Sequence, residues 1–313
     1  MKLNLHKVLA QDYDKLELII SDDYSTDDTP AYIDKQQQKW IDKEKRDFLY
    51  HKVKENKQGK KQALSEAIVH ARHSWVLLTD ADCSPQSNLW VDAMMRTAYS
   101  PRIEIILGYS PIGAKYTWVS YWAHFEGWLT ALQYLSFALH QRPYMGVGRN
   151  LAYKKELVSP QIIGRYADLA SGDDDLTIMQ VATPANTTIC LDSESFVLSP
   201  APDSWSAYYR QKTRHYSTAT SYKVGTQLLL AGYSLSHVLF YVLVGALVYS
   251  GGWIGGLGLY GVRFLFLLPT VNGLRRKMEA QFSLLQFVMM DFFQCFYYLT
   301  FSFAVLFPQK NKW

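Results

Sequence analysis

Trp75-Val76-Leu77-Leu78-Thr79-Asp80-Ala81-Asp82 decides the fold of this chain. An apolar run reads as a buried strand, and it stops at two carboxylates one residue apart. In open α/β sheets the ligand crevice lies beyond the carboxyl ends of the strands, so the run is expected to deliver Asp80 and Asp82 to such a crevice. Two like charges held close disfavour joint ionisation unless a proton or cation lies between them. A hard divalent ion shared by carboxylates and substrate phosphates resolves that conflict. The plainer alternative is a solvated Asp turn, because short motifs recur by chance. The flanking sequence decides between the two.

Upstream, Lys15 to Ser21 reads as a short strand running into Asp22-Asp23. Thr29 to Lys45 is polar and helical, with Pro30 suited to a helix start. Gln62 to Arg72 reads as an amphipathic helix. Downstream, a helix is expected over Ser87 to Ala98 and a strand over Ile103 to Gly108. Strands alternating with helices predict an α/β fold with a parallel-rich sheet covered on both faces.

The chain has 313 residues and a formal charge of +4. That charge is too modest for a nucleic-acid partner, and the Lys excess is regional, within residues 31–61. Cys83, Cys190 and Cys295 are the three cysteines. They are far apart, match no metal-ligand spacing, and read as reduced thiols. Met1 to His6 has no apolar core, so no signal peptide is expected.

Thr117 to His140 carries Trp118, Tyr121, Trp122, Phe125, Trp128, Tyr134 and Phe137 on a long helix with few charges. It is either a core helix or a helix in a membrane interface, where Trp and Tyr are favoured. From residue 223 the composition shifts. Three segments, near 225–249, 253–271 and 284–307, are long enough to span a bilayer, which takes about 20 apolar residues. Arg263 and Asp291 interrupt the second and third. Charges at that depth are costly, so both are expected to face the bundle interior, where they can pair. Arg275-Arg276-Lys277 lies between the last two spans, which puts that end, together with residues 1–220, on the cytoplasmic side. The expected organisation is a domain over 1–222, including the aromatic helix at 117–140, and a membrane region over 223–313. The expected location is the cytoplasmic membrane, in multi-pass form.

Four polar segments carry chemistry. Ser21-Asp22-Asp23-Tyr24-Ser25-Thr26-Asp27-Asp28-Thr29 follows a strand; its carboxylates either accept bonds from a ribose or base, or cap the next helix. Asp80-Ala81-Asp82 is the second. In Ser171-Gly172-Asp173-Asp174-Asp175-Leu176, the three acids either favour a helix N-terminus or include a general base for a hydroxyl nucleophile. Gln211-Lys212-Thr213-Arg214-His215 offers cations for a diphosphate leaving group or for anionic lipid.

In this order the segments resemble those of the family 2 glycosyltransferases, in the membrane-anchored branch related to cellulose and hyaluronan synthases. Asp22-Asp23-Tyr24-Ser25-Thr26-Asp27 looks like that family's D-D-x-S-x-D motif, and Gly59-Lys60-Lys61-x-Ala63-Leu64 like its G-K-x-x-A-L helix start. Asp80-Ala81-Asp82 matches its D-x-D. Gly148-Arg149-Asn150-Leu151-Ala152 resembles the acceptor-side G-x-N segment, and Gly172 to Leu176 the acidic base motif. Gln211-x-x-Arg214-His215 resembles Q-x-x-R-W, with His in place of Trp. The resemblance covers roughly residues 10–220.

The resemblance implies a GT-A fold, a UDP-sugar donor, Mg²⁺ or Mn²⁺, and inversion at the anomeric carbon. It implies metal contact through Asp82 and Asp80. Donor contacts fall to Asp22, Asp23, Lys60, Asp80, Gln211 and Arg214, with Lys212 a further candidate for the diphosphate. Acceptor contacts fall to Gly148, Asn150 and His215, and the base to Asp174, with Asp173 or Asp175 as alternatives. The expected acceptor is lipid-linked or a membrane-proximal glycan. Alternatives are a processive polysaccharide synthase and a non-catalytic membrane scaffold. The family pattern opens with a strand and a uracil-gripping loop ahead of Met1, so a first central strand is expected to be missing here.

Overall fold

The structure, a computed structural model, describes residues 4–44, 47–53, 59–113, 117–166, 169 and 171–306. The elements run α1 (Leu5–Leu9), β1 (Glu17–Asp22), α2 (Thr29–Glu44), β2 (Asp47–Lys52), α3 (Lys60–His70), β3 (Trp75–Leu78), β4 (Ser84–Pro85), α4 (Trp90–Arg96) and β5 (Ile105–Leu107). They continue with α5 (Trp118–Leu139), β6 (Leu151–Lys154), α6 (Pro160–Gly164), α7 (Asp175–Val181), β7 (Thr187–Ile189), β8 (Val197–Leu198) and α8 (Trp205–Tyr216). Three long helices close the chain: α9 (Val224–Tyr249), α10 (Trp253–Lys277) and α11 (Leu284–Leu306).

These elements form two units. One comprises Met1–Ser110, Ala131–Asp168 and Gly172–Pro200; the other comprises Pro111–Thr130, Leu169–Ser171 and Ala201–Trp313.

In the first unit, β1 and β2 form a parallel pair, and β3, β6, β5 and β7 form a four-stranded sheet in that order. The parallel-rich expectation holds in strand direction with one exception. The reversed strand is β6, antiparallel between β3 and β5, so β3, β5 and β7 share one direction and β5 and β7 are hydrogen-bonded as a parallel pair. Leu151, Ala152 and Tyr153 are fully buried, so the segment first read only as a motif is also the central strand of this sheet. β2 escaped the sequence reading because its apolar run, Phe48-Leu49-Tyr50, is only three residues long and lies inside a Lys-rich stretch. Trp90, Val91, Met94 and Ile106 pack with Cys83 and Cys190 into one core, and Leu5, Ile20, Ile33 and Phe48 form another. All three cysteines are free and buried.

β1 and β3 run in the same direction. Glu17 at the start of β1 accepts bonds from the backbone N–H groups of Arg72 and His73, just ahead of β3. Among the described residues, each strand is paired on one side only. Their other edges line a common cavity of about 570 Å³, together with Ala63, Ile68 and Trp90.

In the second unit, α9, α10 and α11 are long and apolar enough to cross a membrane. Leu228, Leu243, Ile254, Leu265 and Phe266 are exposed on them, as lipid-facing side chains would be. Arg263 and Asp291 do pair: the guanidinium Nη2 lies 3.0 Å from Asp291 Oδ2 and 3.1 Å from Oδ1. Tyr241 donates to the same carboxylate at 2.6 Å, and His237 Nε2 bonds the Asp291 carbonyl at 2.9 Å. Each of the three helices therefore contributes to one polar knot. α10 ends in Arg275, Arg276 and Lys277, where cations complement the helix dipole. In α5, Phe125 and Trp128 are buried against Phe282 and Phe287; the core reading accounts for them, and Trp118 stays exposed.

Candidate active site at the strand ends of the first unit

The loop after β1 is built around Asp22. The carboxylate is buried and accepts from the Ser25 N–H at 2.8 Å, the Ser25 hydroxyl at 2.5 Å and the Tyr50 hydroxyl at 2.6 Å. Burial pushes its pKa up, but the Ser25 and Tyr50 bonds and the nearby Lys52 charge outweigh this, and the carboxyl stays below its usual range. Asp22 is therefore occupied in shaping the loop, and Asp23 is the exposed member of the pair. Asp23 accepts the Gly59 N–H at 2.6 Å. Tyr50 is a site residue that sequence reasoning missed; its only signal was the short Phe48-Leu49-Tyr50 run of β2.

Lys60 opens α3 just after Gly59. A cation at a helix N-terminus opposes the helix dipole, and here the ammonium is drawn to acids. Its Nζ lies 3.2 Å from Asp80 and 3.0 Å from Asp173. Burial lowers its pKa, but Asp173, Asp80 and Asp174 raise it further, so Lys60 stays charged. One side chain thereby joins two acidic segments that are 93 residues apart in the chain (173 − 80).

β3 ends where the sequence predicts. Asp82 is exposed and Asp80 half-buried, and their carboxylate oxygens lie with the Cys83 sulfur within 4.8 Å of one another. Burial and the Asp82 charge push the Cys83 thiol up to about 12, so it remains a neutral S–H beside two hard oxygen donors. That donor set suits Mg²⁺ or Mn²⁺, which prefer carboxylate, water and phosphate oxygens. The buried Cys83 was passed over in the sequence as an isolated thiol.

The acidic triplet caps α7. Gly172 takes a φ of +99°, and a Cβ there would come within 2.6 Å of Leu176, so the turn into the triplet requires glycine. Asp174 accepts the Asp175 N–H at 2.8 Å and the Gly148 N–H at 2.7 Å. Burial, then the Asp173 and Asp175 charges, push its pKa up to about 7, against the pull of Lys60 and the Gly148 bond. Asp173 is committed to Lys60, and Asp175 is buried at the start of the helix. Gly148 touches the expected base directly.

The expectation for Asn150 is corrected. The residue is fully buried, its Oδ1 accepts the Trp90 indole N–H at 2.9 Å, and its Nδ2 donates to the carbonyls of Tyr109 and Ser195 at 2.8 and 2.7 Å. It has no surface to offer an acceptor and instead fastens α4 and two loops around β6. Between Gly148 and Asn150, Arg149 donates to Ser199 at 2.9 Å; sequence reasoning had assigned it nothing.

Gln211, Arg214 and His215 belong to the second unit, on α8, where Gln211 and Arg214 are half-buried and His215 is exposed. Lys212 is buried.

The sequence profile described as "Glycosyl transferase family 2" matches residues 2–159. A poly-beta-1,6-N-acetyl-D-glucosamine synthase of Staphylococcus aureus is 40% identical over 78 residues, covering 25% of this chain and 17% of that protein. The match thus spans about a sixth of the relative's length. Among solved structures, a mannosyltransferase of Pyrobaculum calidifontis in complex with GDP-Man and Mn²⁺ aligns over 96% of this chain and 82% of its own. It does so with a TM-score of 0.55 and 16% identity, a likeness of fold.

Proposed function

This chain belongs to glycosyl transferase family 2, and we propose that it moves a sugar from a nucleotide-diphosphate sugar, UDP-linked in the first instance, onto a lipid-linked or membrane-proximal glycan acceptor. The observation that carries this reading is the convergence in the first unit. Lys60 joins Asp80 to Asp173, and Gly148 joins Asp174 to the start of β6. An acid at the end of β3 and the acids that open α7, far apart in sequence, meet where a nucleotide diphosphate and a hydroxyl nucleophile would need them.

Asp80 and Asp82 would hold the Mg²⁺ or Mn²⁺, which when bound supplies positive charge to offset that developing on the departing diphosphate. Lys60 adds a cation beside the same acids, and we assign Arg214 and Gln211 to the diphosphate as well. Asp23 is the member of the first acidic pair that stays open to a nucleoside. Asp174 takes the proton from the acceptor hydroxyl. A base with a pKa near the operating pH combines the right protonation state with proton-accepting strength, and Asp174 fits that description better than the Lys60-bound Asp173. In-line attack by that hydroxyl inverts the anomeric carbon. His215, exposed on α8, would meet the acceptor sugar. The three apolar helices anchor the chain in the cytoplasmic membrane with the first unit facing the cytoplasm, because Arg275-Arg276-Lys277 obeys the positive-inside rule there.

The test is a screen of nucleotide sugars against the full chain in detergent, read as released nucleoside diphosphate. Release with one donor is expected. Asp82→Ala and Asp174→Ala should each lower it about 100-fold or more while leaving the thermal midpoint in place. Full turnover in either variant, or no release with any donor, overturns the reading. A processive synthase is the second reading, favoured by the likeness to a polysaccharide synthase; a ladder of long products on one acceptor would select it.

A further inference from the structure

Lys212 lies between Gln211 and Arg214 in sequence, yet its side chain turns inward. α8 buries Tyr208, Lys212 and Thr213 and leaves His215, at the border of the Tyr208–Lys212 stripe, exposed. The Lys212 ammonium pairs with the carboxylate of Glu126 on α5 and lies 5.7 Å from the centre of the Tyr208 ring. Glu126 is only 3% exposed. Its Oε1 accepts from the Thr130 hydroxyl at 2.9 Å and from the Tyr297 hydroxyl, on α11, at 3.0 Å. Tyr208 accepts the Trp122 indole N–H at 3.0 Å, which adds a second tie between α5 and α8. Tyr216, one turn beyond Lys212, stacks on Phe301 of α11 with ring centres 5.3 Å apart. One carboxylate therefore sits at the junction of three helices.

Buried ion pairs add little net stability, because desolvation offsets most of the attraction. Their constraint is geometric. Residues three and four apart share a helix face, so pinning the Tyr208–Lys212 stripe fixes the rotation of α8 about its axis. It thereby fixes where Gln211, Arg214 and His215 project. We propose that Glu126 is a positioning residue: by holding Lys212 against α5 and α11 it sets the presentation of the Gln211/Arg214/His215 face of α8. This rests on the donor-side roles proposed above for Gln211 and Arg214. It also withdraws Lys212 from the candidates for diphosphate contact, since that ammonium is committed inward. A membrane helix, through Tyr297, becomes part of the machinery that aims the donor-binding side chains.

The experiment uses the full chain in detergent with Glu126→Gln, Glu126→Asp and the double variant E126Q/K212M. The readouts are deuterium uptake by α8 amides, thermal midpoint, and kcat and KM with the donor that the screen selects. Glu126→Gln should speed exchange in α8 while α9 and α10 keep their protection, and should raise donor KM about ten-fold or more with a smaller change in kcat. Glu126→Asp keeps the charge on a shorter stem. It should lower the midpoint less than Glu126→Gln does and still raise KM. The double variant, with no unpaired buried charge, should recover the midpoint but not the KM, an outcome that a purely structural pair would not give. Unchanged α8 exchange in E126Q, or a wild-type KM in E126D or in the double variant, overturns the proposal. If the wild type itself turns over no donor, the functional reading fails first, and α8 exchange in E126Q still decides whether Glu126 holds the helix.

Discussion

Arg263→Met should be the most damaging single change in the membrane region. The guanidinium gives Asp291 bonds at 3.0, 3.1 and 3.3 Å, stacks on Phe240 at 4.7 Å, and approaches His237 Nδ1 at 3.3 Å. Removing it leaves a carboxylate that is 5% exposed with Tyr241 as its one remaining side-chain donor among the described residues. Breaking a buried pair by deleting one partner costs about 3–5 kcal/mol. At about 1.4 kcal/mol per factor of ten, the folding equilibrium should shift by roughly two to nearly four powers of ten. Asp291→Leu should cost a similar amount by stranding the cation. Because the loss comes from the orphaned charge, the double variant R263M/D291L should recover most of it, giving a coupling of about 2 kcal/mol or more. The assay is the folded fraction in mixed micelles titrated with dodecyl sulfate, run on all four members of the cycle. Additive single effects, with no recovery in the double variant, would refute the reasoning.

Asp174 sets an acid limb: with its pKa raised to about 7, the ionised base accumulates as pH rises through that value, so kcat/KM should climb from pH 6 to pH 8. A flat profile over that range counts against Asp174 as base. Gly172→Ala combines a φ of +99° with a Cβ placed 2.6 Å from Leu176, and thermal or denaturant melts should show a loss of about 2–4 kcal/mol; an unshifted melt contradicts this. Asn150→Ala strands the Trp90 indole N–H and the Ser195 carbonyl, and leaves the Tyr109 carbonyl with the long 3.5 Å bond from the Val197 N–H. It should cost about 3 kcal/mol or more while leaving acceptor KM unchanged in the fraction that stays folded, whereas a selective rise in KM would restore Asn150 to the acceptor site.

The long elements were legible because their signals are local. The Trp75 run, the three apolar segments and the aromatic helix each declare themselves through composition, and the structure keeps their limits to within a few residues except at the end of α10, which runs on to Lys277. The Asp80/Asp82 placement followed from the same strand. What stayed hidden depends on partners remote in sequence. Nothing near Leu151 says that its strand runs antiparallel between two others. Nothing near Asn150 says that Trp90, Tyr109 and Ser195 consume its amide, and the resemblance that pointed to it identified a motif position without its physical reason. Glu126 is a single acid on an aromatic helix, and only the inward turn of Lys212 gives it meaning. The Arg263–Asp291 pair was accessible from cost alone, because two charges in apolar segments have few other ways to be tolerated.

The one-sided pairing of β1 and β3 carries a practical consequence. Among the described residues, peptide groups along one edge of each of these strands face a largely apolar slot, and such rims template association with whatever extended polypeptide is at hand. Preparations of this chain should therefore be judged for clumping through the first unit as well as through the three apolar helices, and detergent, which coats apolar helices, will not cure the first kind.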